Sequence, residues 1–246
     1  MVHHALASST HRPWPLPQRP WALTMDWEDL AFLHWPVAAS ALQQLLPPGL
    51  EVEQYDGSAW LGVVPCRMAR TRLRWLPPLP TTHAFPELNV RTYVRSGDRA
   101  GVWFFSLDAC SPLAVAGARA LFRLPYFAAT MQCERLDGSV VYASGRRDRR
   151  APAATFVARW RSTGSAFRAP AGSLPHFLTE RYCLFTASGN GRPRCVEIAH
   201  APWQLSPAAV EIATCDMTRL LGFDLPALPP YVLMAAPQSV VAWTPA

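Results

Sequence analysis

Asp-Gly occurs twice in this chain between runs of β-forming residues, at Asp56-Gly57 and at Asp137-Gly138. Both residues accept positive φ, so each pair folds the chain back as a tight hairpin. Ser96-Gly97-Asp98 and Gly189-Asn190-Gly191 separate two further pairs of runs in the same way. The four turns predict hairpins joining 50–55 to 58–68, 87–95 to 101–108, 126–136 to 139–145, and 181–187 to 194–199. Further strands are expected at 27–34, 155–161, 232–234 and 240–243. Helical signals are few. Residues 38–46 read as a short helix stopped by Pro47, Pro48 and Gly49. Ser111-Pro112 reads as a cap and first helical position for a helix over 112–122, rich in Ala and Gly and ended by Pro125. Residues 214–221 form a third candidate, closed by Gly222. Roughly ten strands in consecutive hairpins imply a mainly β, β-rich α+β fold: an antiparallel barrel, closed or nearly so, or a double sheet, with a few short peripheral helices.

Residues 1–23 stand apart. They carry His3, His4, His11 and a Pro-rich tract, and are expected to lack fixed structure and to hold no metal. Met25 is a candidate alternative start, and 24–246 is expected to form one β domain. Hydrophobic residues make up 50% and charged residues 16% of the 246, which suits a large interior. The chain has no lysine; all 23 basic residues are arginine. The dense run Arg146, Arg147, Arg149 and Arg150 has only Tyr142 for aromatic company, so it reads as a solvated hairpin end and no nucleic-acid partner is expected. Cys66, Cys110, Cys133, Cys183, Cys195 and Cys215 form no C-x-x-C pair and read as unpaired core residues of a reducing compartment. No apolar stretch approaches the ~18 residues of a membrane helix. No charged-then-apolar leader pattern appears, so the expected location is the cytoplasm, without membrane association. An oligomer is compatible with the sequence.

One strand carries the candidate site. FPELNVRTYV, residues 85–94, alternates so that Glu87, Asn89, Arg91 and Tyr93 share a face. Its partner run holds Val102, Trp103, Phe104 and Phe105, apolar on both sides. A polar row beside a doubly buried strand is expected to face a cavity, where each group needs a partner. Simple alternation puts Ser106 and Asp108 in register with Val102 and Phe104, adding the Asp108 carboxylate to the same hole. Glu180-Arg181-Tyr182 opens a later run: either Glu180 with Tyr182, or Arg181, points inward. His200, near Pro202-Trp203, joins as a possible ligand contact. His34 and His83 are weaker candidates. No histidine spacing outside the tail suggests a metal site, and no phosphate loop, dinucleotide fingerprint or nucleophile elbow occurs. No cofactor is expected.

LHW at 33–35, LLPPGLEVEQYDGSAWLGVVP at 45–65, FPELNVRTYV at 85–94, GVWFFSLDA at 101–109, LPY at 124–126, FLTERYCLF at 177–185 and HAPW at 200–203 together resemble the YqjF-like family of uncharacterised bacterial proteins. That family is similar to the acetoacetate-decarboxylase-like superfamily, which implies a closed or nearly closed β structure around a small apolar cavity. In the decarboxylases a helix leads into a pair of lysines, the first forming the Schiff base and the second depressing its pKa. Here the resemblance puts Tyr126 and Phe127 at those positions, and a phenol cannot form an imine. Glu87 is the counterpart, by position, of acidic residues on a cavity strand. The expectation is a small-molecule pocket. An enzyme would use Glu87 and Tyr126 as catalytic groups, lyase- or hydratase-like, on a small carboxylic or oxo acid held by Arg91, Asn89, Asp108, Glu180, Arg181 and His200. The alternative is a non-catalytic binding or sensor protein.

Overall fold

The computed structural model describes residues 3–77, 80–187 and 192–246. Fourteen strands are found among them: β1 Leu23–Glu28, β2 Ala31–Val37, β3 Glu51–Val52, β4 Ala59–Leu73, β5 Ala84–Ser96, β6 Arg99–Ala109, β7 Tyr126–Leu136, β8 Ser139–Arg146, β9 Thr155–Ser162, β10 Cys183–Ala187, β11 Pro193–Ala199, β12 Leu205–Cys215, β13 Tyr231–Ala235 and β14 Gln238–Ala242. Three short helices accompany them, α1 Ala39–Gln43, α2 Pro112–Gly117 and α3 Leu174–Thr179.

The turns form at Asp56-Gly57, Ser96-Gly97-Asp98 and Asp137-Gly138, but the hairpin expected between 50–55 and 58–68 is corrected: only the Tyr55–Ser58 bridge spans its turn, and β3 pairs with β5 through Glu51–Arg95 and Val52–Val94. Asp56 and Gly57 take φ of 50° and 75°, Asp137 and Gly138 take 48° and 73°, and Gly97 takes 60°. The turn expected at Gly189-Asn190-Gly191 lies outside the described residues. The expected strand at 27–34 is two strands, because Asp29 at φ 53° breaks the run. Ser111 caps α2 through the Ala114 N–H, with Pro112 in the first turn, and a π-helical turn, Ala118–Phe122, extends it to Arg123 in the left-handed region. Of the helix expected at 214–221, Thr214 and Cys215 end β12, and only Arg219–Leu221 is helical, as one 3-10 turn before Gly222.

The strands pair in one sheet that closes on itself twice. One ring runs β1-β14-β11-β10-β6-β5-β4 and back to β1. The other runs β6-β7-β8-β9-β12-β13-β2-β4-β5 and back to β6. The two rings share the wall β4-β5-β6, which is why β4 and β5 are buried on both faces. Each ring has its own core. Phe32, Val64, Phe104, Leu107 and Ile198 belong to the first; Leu33, Val63, Leu88, Tyr142, Phe156 and Trp160 belong to the second. Hydrogen bonding all the way round leaves few unpaired strand edges.

Three further expectations are corrected. The tail is laid against the first ring: the buried Arg12 donates to the Ile198 carbonyl and pairs with Glu197 at 3.1 Å, and Trp14 donates to Glu197 at 2.9 Å. These anchors hold a tract whose composition alone predicts no fixed structure. Cys183 and Cys195 are joined as a disulfide, Cα–Cα 5.7 Å. Cys195 lies opposite Phe185, so Cys183 is its diagonal neighbour on the same face of the β10–β11 hairpin, within bonding reach despite the twelve-residue separation. Arg146 is not solvated: it is buried against Asp108. No helix among the described residues is long and apolar enough to cross a membrane.

Candidate functional site

The first ring encloses a cavity of about 200 Å³. Its lining is largely apolar, from β1, β2, β4, β6, β11 and the inner face of α2. The polar exceptions on β5 are Glu87, Asn89 and Arg91, which share its inward face; Tyr126, Arg181 and His200 join them from other elements. Six of the eight residues expected at the site are thus brought together.

Glu87 is buried, and Tyr126 Oη donates to its Oε2 at 2.6 Å. Burial pushes the carboxyl up from 4.5 to about 7, against the smaller lowering from the Tyr126 hydrogen bond. Burial likewise raises the Tyr126 phenol well above its ordinary value, and the adjacent Glu87 charge adds to it. The pair is therefore a carboxyl poised near neutrality and a phenol that keeps its proton. Next along the face, Asn89 is buried with its Oδ1 lacking a hydrogen-bond partner.

Arg91 is held from one side only. Its Nη2 donates to the Leu178 carbonyl at 3.1 Å and to Tyr93 Oη at 3.3 Å, while its Nε is buried without a partner. The guanidinium lies 5.2 Å from the Phe32 ring centroid. No carboxylate pairs with it among the described residues. Tyr93 shows how it is fixed. Tyr93 Oη donates to the Leu178 carbonyl at 2.8 Å, and a carbonyl only accepts. The single hydroxyl hydrogen is thereby used, so His34 Nε2, 2.6 Å away, must be the donor to Tyr93. His34 is neutral, its pKa lowered well below the ordinary value by burial and then by Arg91. Gly62 sits between His34 and Arg91 in the sheet, and a Cβ there would come within 3.0 Å of His34 Nε2. Glycine is what lets the two side chains lie over β4.

Arg181 also lines the cavity, but it is neutralised by Glu53 and donates to the Phe177 carbonyl at 2.7 Å. His200 donates from Nδ1 to the Ala201 carbonyl at 2.8 Å and stacks on Tyr182; burial lowers its pKa.

Two expected residues are absent from the cavity. Asp108 is turned away by a β-bulge. Arg91 pairs with Phe104 and Val90 with Ser106, leaving Phe105 as the extra residue. The bulge reverses the alternation, so Leu107 joins Val102 and Phe104 on the cavity side and Asp108 faces the second core. There it pairs with Arg146, Nη2 to Oδ1 2.8 Å, and Arg146 lies 4.6 Å from the Phe127 ring centroid. Glu180 fails for a different reason. It caps α3 outside any strand, accepting from Tyr182 Oη and from the Trp203 N–H at 3.0 Å, which turns Arg181 inward instead. His83 is exposed and does not line the cavity. Sequence reasoning missed Glu53, whose only signal was a charge beside Val52, and the apolar lining from Trp27, Phe32 and Trp203, which reads as ordinary core. Among the described residues no group of His, Cys, Asp and Glu is placed to hold a metal ion.

A mainly β double-ring sheet with a cavity inside one ring is the fold of the acetoacetate decarboxylase-like structures it matches. An acetoacetate decarboxylase-like enzyme from Sphingomonas wittichii RW1 matches with TM-score 0.58 over 96% of this chain and 97% of that one, at 15% identity. Acetoacetate decarboxylase from Legionella pneumophila gives 0.59 over 99% and 95%, at 12% identity. The enduracididine biosynthesis enzyme MppR complexed with pyruvate gives 0.57 over 99% and 95%, at 16% identity. At these identities the likeness is one of fold. In sequence, the uncharacterized protein YqjF of Bacillus subtilis strain 168 is 40% identical over 228 residues, 93% of each chain. The model of the DUF2071 family, described as an uncharacterized conserved protein, matches residues 24–239, and the chain belongs to this family.

Proposed function

We propose that the cavity binds a small carboxylic or oxo acid and acts on it by acid–base chemistry, as a lyase- or hydratase-like enzyme. The observation that carries this is the arrangement along one strand face: a guanidinium without a carboxylate partner at Arg91, and a carboxyl raised to about 7 at Glu87, hydrogen-bonded to Tyr126. A cation in an apolar cavity is costly unless an anion joins it, and a planar guanidinium suits a carboxylate. With the carboxylate at Arg91, Glu87 takes a proton from the carbon next to the carbonyl. The C–H electron pair forms a C=C bond to the carbonyl carbon, the C=O π pair moves to the oxygen, and Tyr126 donates to the resulting enolate. Once Glu87 is protonated it no longer competes for the phenol hydrogen. A chain without lysine has no side-chain imine available. That the pyruvate-complexed neighbour shares the fold is consistent with a pocket for oxo acids.

The absence of lysine also favours a second reading, a binding or sensor protein that holds the same acid without chemistry. Proton NMR in D₂O separates the two. With 2-oxobutanoate or 2-oxohexanoate, wild type is expected to exchange the protons next to the ketone faster than buffer, and Glu87→Gln to fall to the buffer rate. Saturable binding with exchange at the buffer rate in wild type would install the sensor reading.

A further inference from the structure

We infer that the ligand is an amphipathic acid, with a carboxylate at Arg91 and an apolar chain of several carbons running out of the cavity; this rests on the carboxylate reading above. The inward face of β5 orders the cavity. Phe85, Glu87, Asn89 and Arg91 follow at alternate positions, so Phe85 and Arg91 are ~20 Å apart along the strand. The Arg91 end is the more sheltered, with Arg91 itself partly buried. Arg91 is roofed by the Leu178 carbonyl and Tyr93, and Tyr93 is fully buried.

The opposite end is open and apolar. Leu76 follows β4, and Leu113 and Leu121 come from α2 and its π-helical extension. All three line the cavity, yet they are 45%, 53% and 48% exposed, which places them at its rim. Scattered exposed leucines need no explanation, but three from two separate elements around one opening form a patch. A ligand as small as pyruvate, held at Arg91, would leave this rim and the Phe85 region in water. A ligand with a hydrocarbon tail would cover both. Glu87 lies between the carboxylate site and the rim, so the bonds it reaches lie between the carboxylate and the tail. Arg72 also lines the cavity but is exposed, and a solvated guanidinium holds an anion weakly compared with a more sheltered one.

Isothermal titration of the full chain with acetate, butanoate, hexanoate and octanoate tests this. In wild type Kd is expected to fall about fourfold per added methylene. The double variant Leu113→Ser/Leu121→Ser is expected to flatten the fall beyond butanoate, and Arg91→Ala to weaken the whole series at least tenfold. Both leucines are half exposed, so a melting curve matching wild type checks that the double variant is folded. A flat series that still needs Arg91 overturns the tail inference and leaves the carboxylate reading standing. A falling series that the leucine variants do not flatten overturns the path to the rim. A falling series lost in Arg72→Ala and retained in Arg91→Ala reverses the ligand and overturns both readings.

Discussion

Glu87 carries opposite consequences for chemistry and for stability. Burial raises its folded-state pKa to about 7 from 4.5, so the folded chain binds a proton more tightly than the unfolded chain between those values. Stability from this group is therefore fully present at low pH and lost as pH rises through about 7. Glu87→Gln resembles the neutral acid and still accepts from Tyr126. It is expected to melt like wild type at pH 5 and to be more stable at pH 8, by on the order of 3 kcal/mol. A thermal melt of both proteins at the two pH values reads this directly. Equal melting at pH 8 would mean that the carboxyl ionises without cost, and Glu87 would lose its standing as a base poised near neutrality. Residue identity was legible here because alternation is local: acid, amide and guanidinium at 87, 89 and 91 could only share a face. That Arg91 lacks a carboxylate while Arg181 has Glu53 was not legible, since it depends on contacts 128 residues apart in sequence.

At the level of elements, the misplaced residue is instructive. Strict alternation carried from Val102 to Asp108 fails because one inserted residue, Phe105, flips everything after it. Nothing in GVWFFSLDA announces a bulge; Phe104 and Phe105 are both apolar and either suits a buried face. The flip puts Asp108 into the second core with Arg146, both side chains nearly inaccessible to water. Removing one partner of such a pair strands the other. Arg146→Ala is expected to cost about 3 kcal/mol at neutral pH and less in acid, where Asp108, its pKa already raised by burial, takes up a proton. Urea unfolding at pH 7 and pH 5 measures both values. Ligand affinity should be unchanged, because neither residue reaches the cavity; a loss of binding in a folded Arg146→Ala would return Asp108 to the site. Hairpin turns were the most legible elements, since Asp-Gly fixes backbone angles locally. β12 was the least: Pro207 and its scattered alanines hide a strand that long-range pairing with β9 and β13 imposes.

For the whole molecule, the shared wall is what makes a polar site affordable. β4, β5 and β6 have a packed core behind them and a cavity in front, so the row Glu87, Asn89, Arg91 stands on strands fixed by neighbours on both edges and one face. Hairpin spacing predicted a closed β structure, but not that it closes twice, because the β6–β7 and β6–β10 pairings are parallel and join strands that no tight turn connects. The central claim is that this cavity recognises an acid through the guanidinium of Arg91. Thermal melting of wild type and Arg91→Ala, each with and without 2-oxohexanoate at a hundredfold excess over Kd, tests it most directly. Wild type should gain ~2.7 kcal/mol, or about 5 to 10 °C for a chain of this size, and Arg91→Ala should gain nothing while melting near the ligand-free wild type. A variant that keeps the shift, or a ligand-free variant that has already lost most of its stability, would make Arg91 a brace of the ring and not the seat of the ligand.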